Sequence, residues 1–121
     1  MINKKSNPSE YSSTVNRLLE LNDKFRNKNL LLEENFYMQL EIFGCEIDKS
    51  FIIDIFPDSG STYTGTIINQ NMKILAFDID TNFSEYSIIS EKTNLSANDK
   101  IALKIFQQVA SSPHGALRNA G

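Results

Sequence analysis

Between Phe51 and Ile89 the chain is a succession of short runs in which apolar and polar residues alternate, cut by turn formers, and few architectures satisfy that pattern. Phe51-Ile52-Ile53-Asp54-Ile55-Phe56 and Lys73-Ile74-Leu75-Ala76-Phe77-Asp78-Ile79-Asp80 carry the period of two that a half-buried strand requires. Ser61-Thr62-Tyr63-Thr64-Gly65-Thr66-Ile67-Ile68 is rich in β-branched residues, and Gly65 within it marks a bulge or a close approach of another backbone. Pro57-Asp58-Ser59-Gly60 is the clearest turn, because Pro fixes φ early and Gly accepts a positive φ late. Asn69-Gln70-Asn71-Met72 reads as a tight hairpin in which an Asn takes the left-handed conformation. The stretch is therefore expected to be an antiparallel meander.

Upstream, Phe36 to Phe43 also alternates, with Phe36, Met38, Leu40 and Ile42 on one side, and is expected to be a first strand. Phe83 to Ile89 is expected to add a short fifth strand or to lie along the sheet edge. Helices bracket the sheet. Asn7-Pro8-Ser9-Glu10 has the residues of a helix start, and Tyr11, Val15, Leu18, Leu19, Leu21 and Phe25 recur at helical spacing as far as Asn27. Ser96 is the N-cap, with Asp99 at N3 facing the positive helix end, ahead of a second stripe, Ile101, Ala102, Ile105, Phe106, Val109 and Ala110, which Pro113 stops. The expected fold is α+β: a four- to five-stranded antiparallel sheet flanked by an N-terminal and a C-terminal helix. Two helices on one face would leave the other partly open.

The 121 residues suit one domain spanning 1–121, with 1–6 and 113–121 expected to be flexible. A composition of 40% hydrophobic and 22% charged residues is that of a globular chain. Cys45 is the single cysteine, so no intramolecular disulfide can form, and a small packed residue is the expected role. No apolar run resembles a signal peptide or a membrane span, which leads us to expect a cytoplasmic protein with no membrane partner.

The charge is segregated. Residues 1–30 carry a net +3, residues 31–99 a net −9 and residues 100–121 a net +3. An acidic sheet attracts basic proteins and repels nucleic acid, so no nucleic-acid partner is expected. Catalytic chemistry finds little support. The lone His114 lies beyond the last helical stripe, one Cys and one His cannot make a zinc site, and no glycine-rich loop cradles a phosphate. Asp78 and Asp80 share one side of a strand about 7 Å apart, and Asp54 is a candidate to join them from a neighbouring strand. A divalent-metal site there would need further oxygen ligands, and an acid–base pair would need a cleft. We expect no cofactor, no metal and no enzymatic activity.

The run Pro57-Asp58-Ser59-Gly60, then Tyr63-Thr64-Gly65-Thr66-Ile67-Ile68, Lys73 to Asp80 and Glu85-Tyr86 resembles the strand, turn and acidic-strand layout of small bacterial immunity proteins. These accompany polymorphic toxins, including contact-dependent growth inhibition systems. The resemblance covers residues 51–90 and implies a non-enzymatic protein that binds one cognate toxin domain, often a nuclease, and occludes its active site. Asp54, Asp58, Asp78, Asp80 and Glu85 would then meet Lys and Arg of the toxin's basic cleft, with Tyr63 and Tyr86 as aromatic anchors. The alternative is a secretion chaperone binding an effector segment, which would use an apolar groove and a homodimer.

Overall fold

A computed structural model describes residues 8–30, 34–58, 60–82 and 86–111. Helix α1 spans Pro8–Arg26, α2 Glu34–Ile42, strands β1 Phe51–Pro57, β2 Thr62–Ile68, β3 Ile74–Asp80 and β4 Ile88–Glu91, and α3 Ala97–Ser111. The strands form one antiparallel sheet in the order β1-β2-β3-β4, the expected meander, with an N-terminal and a C-terminal helix. Asn7 and the two terminal segments lie outside the described residues, as do Phe83 to Glu85 of the expected fifth strand.

The segment expected as a first strand is helical. In α2 the buried residues are Phe36, Tyr37, Gln39 and Leu40, which is helical spacing, whereas Met38 and Ile42, on the supposed core side, are 52% and 73% exposed. Phe36 and Leu40 satisfy both periods. The deciding residues between them are Met38 and Gln39, unbranched helix formers, and the segment holds a single β-branched residue, Ile42.

Helices cover both faces of the sheet: α1 and α3 meet in the cluster on one, and the other, expected to be partly open, is covered by α2. On the first face Phe36 of α2 meets Phe77 and Tyr63 edge-on at 5.6 Å, in a cluster with Phe25, Ile52, Ile67, Leu75 and Ile79. On the second face Phe106 of α3 stacks on Phe51 at 5.2 Å, in a cluster with Leu18, Ile53, Ile68, Ile74, Ala102 and Ile105. This second cluster occupies only the end of the sheet where β1 begins and β2 ends.

Helix α1 lies along the outer edge of β1. The side-chain amide of Asn22, 1% exposed, donates to the Ile52 carbonyl at 2.9 Å and accepts from the Ile52 N–H at 2.6 Å. Arg26 Nη2 donates to the Ser50 carbonyl. Two side chains thus do for an edge strand what a neighbouring strand would do, and Pro57, with no N–H to offer, ends it.

The helix ends obey backbone chemistry. Lys28 has φ 59° and Asn29 N–H reaches the Lys24 carbonyl at 2.8 Å, a Schellman stop for α1. Gly44, φ 95°, closes α2 in the same way, with Cys45 N–H on the Leu40 carbonyl at 2.9 Å. Ser96 caps α3 as expected, and Asp99 completes a capping box: Asp99 N–H donates to Ser96 Oγ at 3.1 Å and Ser96 N–H to Asp99 Oδ2 at 2.9 Å. In the hairpin from β2 to β3 the left-handed residue is Met72, φ 64°, not an Asn. Asn69 Oδ1 instead accepts from Asn71 and Lys73 N–H, and its side chain shapes the turn from its first position.

Candidate functional site

A bulge in β1 determines what the second face displays. Ile52 pairs with Ile67 and Asp54 with Thr66, so Ile53 is the extra residue and the register slips by one. Strict alternation would put Asp54 and Phe56 on the face opposite Phe51. The slip returns both to the face of Phe51 and turns Ile55 to the other. The glycine predicted to mark a close approach stands beside this bulge: a Cβ on Gly65 would lie 2.3 Å from the Asp54 carbonyl oxygen and 2.6 Å from Phe77 Cζ.

Beyond the reach of α3 the second face opens gradually, from a row in which Thr66 is still buried to one in which Phe56, Asp78 and Ile88 are exposed, and it can be read in rows across the strands. Asp54, Thr66, Ala76 and Ser90 form one row; Phe56, Thr64, Asp78 and Ile88 form the next. Thr62 and Asp80 pair beyond them. Phe56 is 58% and Ile88 61% exposed, and Asp78 between them is exposed as well. Asp58 sits at the rim, exposed, in the turn where its N–H donates to the Thr62 carbonyl at 2.8 Å. These rows contain no Lys or Arg, and among the described residues none forms an ion pair with Asp54, Asp58 or Asp78. Asp54 Oδ1 is out of solvent and has no hydrogen-bond partner among the described residues.

The other candidate residues are placed differently. Asp80 shares the face of Asp78, as the spacing requires, but its carboxylate accepts from Ser61 Oγ at 2.8 Å and from Asn82 N–H at 2.9 Å. Its backbone is held too: Gln39 donates to its carbonyl at 2.8 Å, and its N–H donates to Ser87 Oγ, which in turn donates to Gln39. Asp80 therefore ties the end of the sheet to α2. Tyr63 is on the first face, half-buried against Phe36. Tyr86 is 67% exposed just before β4, and Glu85 lies outside the described residues. Asp54 does not sit beside Asp78: β2 separates their strands, which puts them roughly 10 Å apart sideways. Among the described residues no group of three or more acidic, His or Cys side chains could hold a metal ion.

Sequence reasoning did not single out Phe56 and Ile88 as surface residues: both sit in β-rich apolar runs, and nothing in residues 51–56 announces the bulge that brings Phe56 to the face of Phe51. Cys45 is packed as expected, and burial pushes its thiol up to about 11, which makes it a poor nucleophile at neutral pH. No described helix is long and apolar enough to cross a membrane.

Comparison with known proteins returns no matching family model, no matching curated protein and no matching solved structure, so any functional reading of this chain rests on its own residues and geometry.

Proposed function

We propose that this protein is an immunity protein, which neutralises a bacterial toxin domain by covering the toxin's basic active site with the open half of its second sheet face. The observation that carries the reading is the acidic, cation-free row Phe56, Thr64, Asp78 and Ile88, with Asp54 in the row beside it and Asp58 at the rim. An enzyme that handles nucleic acid needs Lys and Arg around its phosphate site, and those groups form charge-assisted hydrogen bonds with carboxylates. Exposed apolar side chains on either flank supply the desolvated contacts from which protein interfaces draw most of their binding energy. The partner is a folded basic domain, a nuclease in the simplest case, and binding occurs in the cytoplasm without cofactor or metal.

The test is affinity capture from the source bacterium on the immobilised 121-residue chain, at low and at high salt, with the double variant Asp54→Lys/Asp78→Lys alongside. The expected result is one basic toxin-like domain in near-equal amount, weakened by salt and lost from the double variant. Capture that is indifferent to the double substitution would remove this face from the interaction.

A further inference from the structure

The open half-face has a shape as well as a charge. Phe56 on β1 and Ile88 on β4 stand at its two edges, three strand spacings or roughly 14 Å apart, and the positions between them carry only Thr64 and Asp78. In the next row, towards α3, the floor closes: Thr66 is buried and Ala76 half-buried between Asp54 and Ser90. The result is a shallow trough: a floor of small side chains between two large apolar ones. An α-helix with its side chains is ~10–12 Å across and fits that width. The same sheet face already accepts a helix a few residues away, where α3 seats Phe106 on Phe51.

Resting on the reading above, we propose that the trough takes an amphipathic, basic helix of the partner, laid on the sheet beside α3. The floor fixes the chemistry of that helix. Small floor side chains leave room for long residues, the exposed carboxylate of Asp78 in the centre calls for Lys or Arg, and Phe56 and Ile88 call for Leu-like residues on its flanks. Strand addition at the β1 edge is opposed where Asn22 already saturates Ile52.

The probe is an acetylated, amidated 18-residue peptide of Leu, Lys and Ala, with Leu and Lys interleaved along one helical face. A peptide of the same composition with period-two patterning serves as the strand-forming control. Binding to the full chain is read by fluorescence anisotropy at low salt, and helix formation by circular dichroism. The helical peptide is expected to bind in preference to its control and to gain helicity. Phe56→Ala and Ile88→Ala should each weaken it about five- to tenfold, and Asp78→Lys at least as much. Met38→Ser, which removes an exposed apolar side chain from α2, should leave it unchanged. Equal binding of the two peptides, no binding, or loss with Asp78→Lys alone would overturn the helix assignment. The last result would still leave an acidic docking face, whereas a helix-specific trough coupled with an empty capture from a toxin-expressing strain would overturn the immunity reading and keep the trough.

Discussion

Asn22 and Ile52 share a reciprocal pair of hydrogen bonds across 30 residues of sequence, one helix side chain supplying the N–H and the oxygen that the backbone of an edge strand lacks. Both groups are shut away from water. Replacing Asn22 with Ala leaves two buried backbone groups unpaired, and the expected loss is about 2–4 kcal/mol. Asn22→Asp keeps the acceptor but loses the donor and buries a charge, so it is expected to be no better. Urea unfolding followed by circular dichroism checks both, with a shifted midpoint and an unchanged slope as the signature.

Gly65 has a second measurable role. Two of the three atoms that crowd its missing Cβ are backbone atoms of β1, the Asp54 oxygen and Ile55 Cα at 3.0 Å, which cannot swing away as a side-chain tip would. Gly65→Ala is expected to destabilise the fold by about 3 kcal/mol, at the upper end of overpacking costs. Amide shifts centred on residues 53–56 would locate the strain at the bulge.

The two Schellman ends differ in their left-handed residue, and opposite outcomes follow. Lys28→Gly removes a Cβ penalty of roughly 1 kcal/mol. Lys28 also lies 3.2 Å from the exposed Glu34 and 5.4 Å from the centre of the buried Tyr37 ring, contacts of small value because the Lys28 ammonium stays in water, so the net effect is a small gain. Gly44→Ala finds open space around its Cβ but keeps φ 95°, and a loss of about 1 kcal/mol is expected. Thermal melts of the two variants should move in opposite directions.

Asp99 gives the stability an acid limit. Burial alone would raise its pKa, but Lys92 Nζ at 2.8 Å, together with the Ser96 N–H and hydroxyl, holds it below the ordinary value. A carboxylate depressed in the folded state contributes stability that is present above the unfolded value, near 3.9, and is lost as pH falls through the folded one. Unfolding free energy measured from pH 7 to pH 2 should therefore fall more steeply below about pH 4 in the parent than in Asp99→Asn, which starts lower.

Cys45 should resist alkylation. With its thiol pushed up to about 11 and no exposed surface, it is expected to react with iodoacetamide at pH 8 only as fast as the chain opens. Addition of 6 M guanidinium should expose it at once, which mass spectrometry of the labelled protein would follow.

Much of the architecture was legible because it is written locally. Ser96 and Asp99 announced the start of α3, Pro57 to Gly60 the first hairpin, and Gly65 the close approach to β1. The misread elements share a different cause: their periods are ambiguous or are reset by a neighbour. Phe36 and Leu40 fit a helix and a strand equally, and the helix-forming Met38 and Gln39 between them tip the balance, leaving Gln39 buried and Met38 exposed. Met72 holds a conformation for which the two nearby Asn residues are better suited, because Asn69 is committed to the turn through its side chain. In the candidate site the shared side of Asp78 and Asp80 was legible from their spacing. That Phe56 shares the face of Phe51 was not, since the extra residue at Ile53 is a property of the pair β1 and β2 and leaves no mark in either strand alone. Tyr63 and Asp80 were legible as residue types but not as engaged ones; Phe36 and Ser61, which hold them, are distant in sequence.

The strict succession of the four strands has a kinetic consequence. Each ladder closes over a short connection, Pro57 to Thr62, Ile68 to Ile74 and Asp80 to Ile88, so its loop entropy is small and its partners meet early. Helix α1 is synthesised first yet has no edge to dock on until Ile52 is in place, and α3 arrives last. Pulse-labelled amide protection during refolding is expected to reach the hairpins before it reaches Ile52. Phe56 and Ile88 therefore come into alignment through hairpin closure alone, without waiting for either terminal helix.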